Sequence, residues 1–194
     1  KNNILNIINN HLDIFSNEIE LTSYKILEIS TKEKNLFFRN NFLKPDNSHI
    51  SIGFLIKNKI FAIMTFNKIN NKEFEICNFC KKYDCKINCG KQFFSYFKKK
   101  YNPTSVIVYD NKRYSMANVY KSIGFKIKKV LEPDYWYFGK KIKGIENKSK
   151  WEKNLLKNKL EYFDPNLTEW ENMQINGYDR IWDCGQNVLE WRAK

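Results

Sequence analysis

Several things are scarce in this chain, and each scarcity narrows what it can be. Histidine occurs only at His11 and His49, too far apart in sequence to propose as a pair. No His-Asn-His, Gly-Ile-Tyr or clustered Asp/Glu-x-Lys pattern appears. Glu73 and Glu75 share one face of a strand, but no partnering lysine motif follows, so a metal nuclease centre is not expected here. No run approaches the roughly 18 apolar residues of a membrane-spanning helix, so no membrane partner is expected. The opening Lys1-Asn-Asn-Ile-Leu lacks an apolar secretory segment and a small-residue cleavage site. It also lacks an initiating Met, as a piece of a longer protein would. Cysteine is odd in number, with five thiols, which argues against a disulfide framework and for a reduced, cytoplasmic setting. Internal repeats and low-complexity tracts are absent.

Acidic residues are the scarcer charge, 21 against 34 Lys and Arg, for a net +13. Part of that excess reflects a general Lys/Asn/Ile bias. The remainder favours a polyanionic partner, because neutralised phosphates release counterions. A hydrophobic content of 42% with 16% aromatics is enough for a real core.

Residues 3–15 carry Ile4, Ile7, Ile8, Leu12 and Phe15 at helical spacing. A strand is expected at Tyr24–Ile29, then a helix opened by the capping box Ser30-Thr-Lys-Glu33. Pro45–Ser48 is a turn cluster. Ile50–Ile56 and Ile60–Phe66 form a hairpin about Lys57-Asn58-Lys59, and Phe74–Cys80 is a third strand. Gln92–Tyr101 reads as a helix stopped by Asn102-Pro103, and Ser105–Tyr109 as a buried strand. Met116–Ile123 reads as a helix ended by Gly124, with strands at Phe125–Leu131 and Tyr135–Phe138. Lys140–Lys159 reads as a basic linker or solvated helix. A second capping box, Thr168-Glu-Trp-Glu171, opens a helix closing at Gly177, and Asp179–Asp183 and Val188–Trp191 flank a hairpin turn at Cys184–Asn187. The expected layout is an N-terminal helical lead (1–23), a domain at 24–139 and a basic linker with a helix–hairpin appendage (140–194). Mixed strands and helices in this order imply an α/β (α+β) layered sheet.

Asn118-Val-Tyr120-Lys-Ser-Ile-Gly124-Phe125 resembles the Asn-x-x-Tyr-x-x-x-Gly-Phe helix end of the GNAT acyltransferase superfamily. That resemblance implies a mixed central sheet flanked by helices, with Tyr120 near an acyl donor's thiol. The family's Gln/Arg-x-x-Gly-x-Gly/Ala pyrophosphate loop is matched only by Lys86-Ile-Asn-Cys-Gly90-Lys91, so acetyl-coenzyme A would rest on Asn88, Gly90 and Lys91 with a reduced motif. Phe79-Cys80, Tyr109–Ser115, Tyr120–Phe125, Pro133–Tyr137 and Gly177–Gly185 resemble the GNAT-like region of phage homing-endonuclease-type proteins. The layout is also similar to that of phage Mom-type DNA-modification proteins, which implies Asp110 and Tyr120, beside Tyr109, as catalytic candidates.

These resemblances imply a phage or mobile-element protein acting on DNA, in a host cytoplasm, with possible group transfer to a base. The alternatives are a non-catalytic DNA-docking module and an acyl-coenzyme A-dependent N-acetyltransferase. Lys112, Arg113 and Tyr114 at a strand end, Lys98-Lys99-Lys100 at a helix end, and Lys140-Lys141 are the nucleic-acid-contact candidates. Trp151, among lysines, suits stacking on a base. Cys77, Cys80, Cys85 and Cys89 approximate a zinc knuckle, but a strand at Phe74–Cys80 would point Cys77 and Cys80 to opposite faces, which argues against zinc.

Overall fold

The computed structural model describes residues 17–18, 23–42, 45–82, 85–86, 88–113, 115, 117–139 and 141–193. The helix read at residues 3–15 lies outside them. The chain forms two compact units. One is built from residues up to Val130 together with those from Gln186 on, the other from Leu131–Gly185.

In the first unit, β1 (Asn17–Glu18) and β6 (Cys85–Lys86) form a two-residue parallel bridge. The main sheet has the order β2 (Lys25–Glu28), β3 (Ile50–Ile56), β4 (Lys59–Lys68), β5 (Glu73–Lys81), β7 (Ser105–Asn111), β12 (Gln186–Arg192), β8 (Lys126–Leu131). β5 and β7 run parallel. A hairpin turn joins β3 to β4 through Lys57 and Asn58, at φ of 48° and 60°. Asparagine tolerates that left-handed geometry well, and paired positive φ matches the twist of the strands it joins.

Helix α1 (Thr31–Asn41) opens on the capping box read from sequence: Glu33 N–H donates to Ser30 Oγ, and Ser30 N–H donates to Glu33 Oε2. It covers one face of the sheet, where Phe37, Phe38, Ile63 and Cys80 pack. Helix α2 (Gly90–Tyr101) covers the other, burying Phe93, Phe94 and Phe97 against Phe66, Phe74, Val106 and Val108. Each of those rings contributes about 2–3 kcal/mol of burial. Phe97 stacks on Phe66 with centroids 3.8 Å apart. The helix stops at Asn102 in the left-handed conformation, as expected. Helix α3 spans only Asn118–Ser122, shorter than the periodicity suggests, because Ala117 takes φ 59° just before it.

The second unit holds the antiparallel sheet β10 (Ile142–Asn147), β9 (Tyr135–Gly139), β11 (Tyr178–Trp182). A 3-10 turn (Lys148–Lys150), α4 (Lys153–Leu156) and α5 (Glu169–Ile175) complete it. Tyr137, Ile142, Trp151, Leu156, Met173 and Tyr178 form its core. Helix α5 carries the second capping box, Thr168 with Glu171. Asn172 is fully buried, and its amide donates to Asp164, Leu167 and Thr168 carbonyls while its oxygen accepts from Asp164 N–H.

Three expectations are corrected here. Lys140–Lys159 is not a linker or solvated helix: Ile142, Trp151 and Leu156 are sparse but all buried, and they fold the stretch into a core. Trp151 is therefore no stacking platform. Its ring lies 5.1 Å from Tyr178, and its Nε1–H donates to Glu146 Oε2 at 2.9 Å. Cys184–Asn187 is not a hairpin turn either, because β11 and β12 belong to different sheets. The compact units divide at 130/131 and 185/186, so the second unit is an insertion between strands β8 and β12 of the main sheet.

The ends of that insertion are clasped. Asp183 N–H donates to Asp134 O, and Asp183 Oδ1 accepts from the N–H groups of Asp134 and Gly185. Gly185 sits at φ +73°, and a Cβ there would stand 2.4 Å from the Leu131 carbonyl. Gly185→Ala combines left-handed strain with a backbone clash. Its expected cost is about 3 kcal/mol, read as a lower urea midpoint.

Candidate active site

The site begins at a defect in β5. Opposite β4, Ile76 pairs with Phe66 and Asn78 pairs with Thr65, leaving Cys77 as an extra residue. A bulge of this kind bends its strand and increases the local twist. On the other side, β5 pairs with β7 only from Glu73↔Ser105 to Ile76↔Val108. Beyond that point, among the described residues, Asn78–Lys81 pairs with β4 and Tyr109–Asn111 with β12, and neither segment pairs with the other. The two parallel strands thus part at the bulge into a wedge walled by strand edges.

Both following helices start beside that wedge. α2 begins at Cys89 with no side-chain cap, so its first N–H groups keep the partial positive charge of a helix start. Gly90 is buried against α3: a Cβ on it would lie 3.1 Å from Val119 Cγ1 and 3.7 Å from Ile123 Cγ2. Lys91 and Asn88 are exposed beside it.

β7 alternates, and Val106, Val108 and Asp110 are all buried. Asp110 therefore shares the α2/α3 side with Tyr120, while Tyr109 is 49% exposed. Asp110 lies 5% exposed. Burial raises its pKa, opposed by hydrogen bonds from Ser115 and the Ala117 N–H and by the charge of Lys121. Its Oδ2 is buried and, among the described residues, has no hydrogen-bond partner. Burial also drives the Tyr120 phenol well above its ordinary value, with the Asp110 charge adding to the shift. Tyr120 packs edge-on to Phe125 at 6.1 Å. The pair is a carboxylate with one unsatisfied oxygen beside a phenol that stays protonated.

A raised carboxylate pKa has a definite sign in stability. The folded state disfavours the Asp110 anion, so ionisation costs stability above the unfolded pKa of about 3.9. Asp110→Asn is expected to hold or raise the melting temperature at pH 7. The difference from wild type closes as pH falls below about 4, which thermal melts across pH would read.

Behind the bulge lies a network that the sequence reading took for a simple turn. Asp46 accepts from Lys34 Nζ at 3.0 Å, Ser48 N–H at 2.9 Å, Thr65 Oγ1 at 2.8 Å, Asn78 Nδ2 and Ser48 Oγ. Lys34 also donates to Ser48 O at 2.9 Å. Lys34 belongs to α1, Thr65 to β4 and Asn78 to β5, directly after the bulged Cys77.

The other nominated residues are scattered. Lys112 and Arg113 form the turn after β7, with Arg113 N–H donating to Asn111 Oδ1. Tyr114, Lys140 and the Cys85 side chain lie outside what is described. Lys98, Lys99 and Lys100 close α2, where cations complement the helix end. Lys100 pairs with Glu28 at 2.9 Å, and Lys141 pairs with Glu161. Among the described residues no group of three metal-ligating side chains forms. Cys80 donates to the Asn41 carbonyl at 3.5 Å. Burial pushes the Cys77, Cys80 and Cys89 thiols up to about 12. In native protein, exposed Cys184 is therefore expected to react with a thiol reagent, and these three only on unfolding, as mass spectrometry of labelled peptides would show.

No protein-family model matches the chain, and no curated protein matches it. Solved structures do. The Escherichia coli ribosomal-protein-S18-alanine N-acetyltransferase superposes with TM-score 0.51 at 8% identity, over 88% of this chain and 94% of that one. A Bacillus subtilis acetyltransferase solved in complex with CoA gives TM-score 0.50 at 13% identity, over 89% and 100%. The fold is thereby that of the GNAT acetyltransferases: a mixed, mostly antiparallel central sheet flanked by helices. Among the described residues no helix is long and apolar enough to cross a membrane.

Proposed function

We propose that the protein is an acyl-coenzyme A-dependent N-acyltransferase. The observation that carries this reading is the wedge: β5 and β7 part at the Cys77 bulge, beside an uncapped helix start. The edge of Asn78–Cys80 that faces away from β4 offers backbone groups to the amides of a pantetheine arm. Gly90 lets the α2 start pack closely on α3, its uncapped first N–H groups face a pyrophosphate, and Lys91 adds a cation. A bound acyl thioester supplies an activated carbonyl.

The chain's own residues then manage protons. Asp110, raised in pKa and with Oδ2 free, accepts the proton lost by the attacking amine. Tyr120 donates its phenolic proton to the departing sulfur. The new bond joins amine nitrogen to acyl carbon, and the carbon–sulfur bond breaks. Proton return from Asp110 to Tyr120 restores both, so amine plus thioester gives amide plus thiol. Thiol release from acetyl-coenzyme A in the presence of a panel of primary amines tests the reading. Amine-dependent release supports it, and no release with any amine contradicts it.

The nature of the acceptor is a second question. A DNA base amine, or DNA docking alone, draws support from charge, because the net +13 favours a polyanion.

A further inference from the structure

The positive charge is not spread along the chain. Leu131–Gly185 holds nine Lys and Arg against ten Asp and Glu, so the whole excess resides in the other unit. The tail that reads as basic in sequence is close to neutral once its folded boundaries are drawn. Within the charged unit, a groove of about 720 Å³ is lined by Lys98, Lys126, Lys128, Arg192, Trp191 and Glu190. Lys98 Nζ stands 5.3 Å from the ring centroids of both Phe94 and Trp191. Glu190 accepts from Lys128 Nζ and Arg192 Nε, each at 3.0 Å. Four cations against Glu190, with the Glu73 charge also felt at Arg192, leave the groove net positive, and a concave surface of one sign concentrates counter-ions.

The groove is separate from the wedge. Arg192 pairs with Ser105 at the start of β7, whereas Asp110 opposes Asn187 at its end. Those β7 positions are about 17 Å apart along an extended strand. One wall is β8, the last strand of the sheet, whose Lys126, Ile127 and Lys128 are exposed.

We propose that this groove binds single-stranded nucleic acid, its cations on successive phosphates and Trp191 beside a base. A flexible chain of phosphates complements the surplus charge. An indole among cations adds the stacking surface that single strands use, and that an acidic peptide or lipid headgroup does not. The cavity has the size of a small-ligand pocket, which suits one or two nucleotides of a strand and not a duplex. No residue of the wedge takes part, so the proposal stands or falls apart from acyl transfer.

The test is fluorescence anisotropy of a labelled oligothymidylate with the full chain over a salt series. The triple variant Lys98→Gln, Lys126→Gln, Arg192→Gln is expected to bind about 100-fold more weakly at 0.1 M salt, with a log–log salt slope smaller by about 2. Because that variant could also lose structure, Lys126→Glu is measured beside it. Its side chain is exposed, and a loss of at least about 5-fold is expected from it alone. Unchanged binding by Lys126→Glu or by a folded triple variant overturns the proposal. Equal loss from Lys91→Gln at the wedge also overturns it. So does displacement of the oligonucleotide by polyglutamate or anionic vesicles at equal charge concentration.

Discussion

Lys34→Met is expected to destabilise the protein by about 3–5 kcal/mol, the largest single-residue effect in this structure. The side chains of Lys34 and Asp46 are 2% and 1% exposed. Removing the ammonium leaves a carboxylate that water cannot reach. The remaining donors, Ser48, Thr65 and Asn78, satisfy its lone pairs but not its charge. Replacing both ends of the pair costs less than replacing Lys34 alone, since the stranded charge is then gone.

The pH dependence has a definite sign. Burial alone would raise the Asp46 pKa, but hydrogen bonds from Ser48, Lys34, Asn78 and Thr65 outweigh it and hold the group below its ordinary value. The stabilisation is therefore complete above the unfolded pKa of about 3.9 and is lost as pH falls through the lower folded value. In urea melts, the gap between wild type and Asp46→Asn should be constant from pH 5 to 7 and close below about 4. A gap that persists in acid would mean that Asp46 matters for shape and not for charge.

Tyr120→Phe is expected to lower acyl transfer by about 100- to 10,000-fold while the melting temperature stays close to wild type. The ring's packing against Phe125 survives the substitution, and only the hydroxyl is lost. Donor affinity should change little, since the hydroxyl acts on the departing sulfur. The loss then appears in kcat and not in KM. Equal activity in wild type and variant would remove Tyr120 from the chemistry.

Local chemistry made parts of this fold readable. Ser30 with Glu33, and Thr168 with Glu171, are side-chain-to-backbone contacts spanning one helical turn, so they are written in adjacent residues. The Lys57-Asn58 turn and the stop at Asn102 are equally local. Non-local pairing was not readable. Nothing near Gln186–Arg192 says that this strand returns to lie between β7 and β8, 55 residues after the chain left the sheet. Lysines hid the core role of Ile142, Trp151 and Leu156, because three apolar anchors in a basic stretch leave no clear period.

The site divides the same way. Asp110 and Tyr120 were nominated from a strand-end position and a family-like layout, and both prove buried on the α2/α3 side of the sheet. The Cys77 bulge was not legible, since a bulge exists only relative to the partner strand. Asp46 looked like one polar residue of a turn cluster; the sign of its role lies in Lys34, Thr65 and Asn78, which reach it from three separate elements. A total charge likewise says nothing of its distribution, and only the unit boundaries show that Leu131–Gly185 contributes none of the excess.

The central claim is that an acyl donor lies where β5 and β7 part. Hydrogen–deuterium exchange of the full chain, with and without saturating coenzyme A, tests it most directly. The account predicts new protection at the amides of Cys77–Lys81 and at the start of α2 from Gly90, with the rest of the sheet unchanged. Protection confined to residues lining the basic groove, or none anywhere, would contradict it.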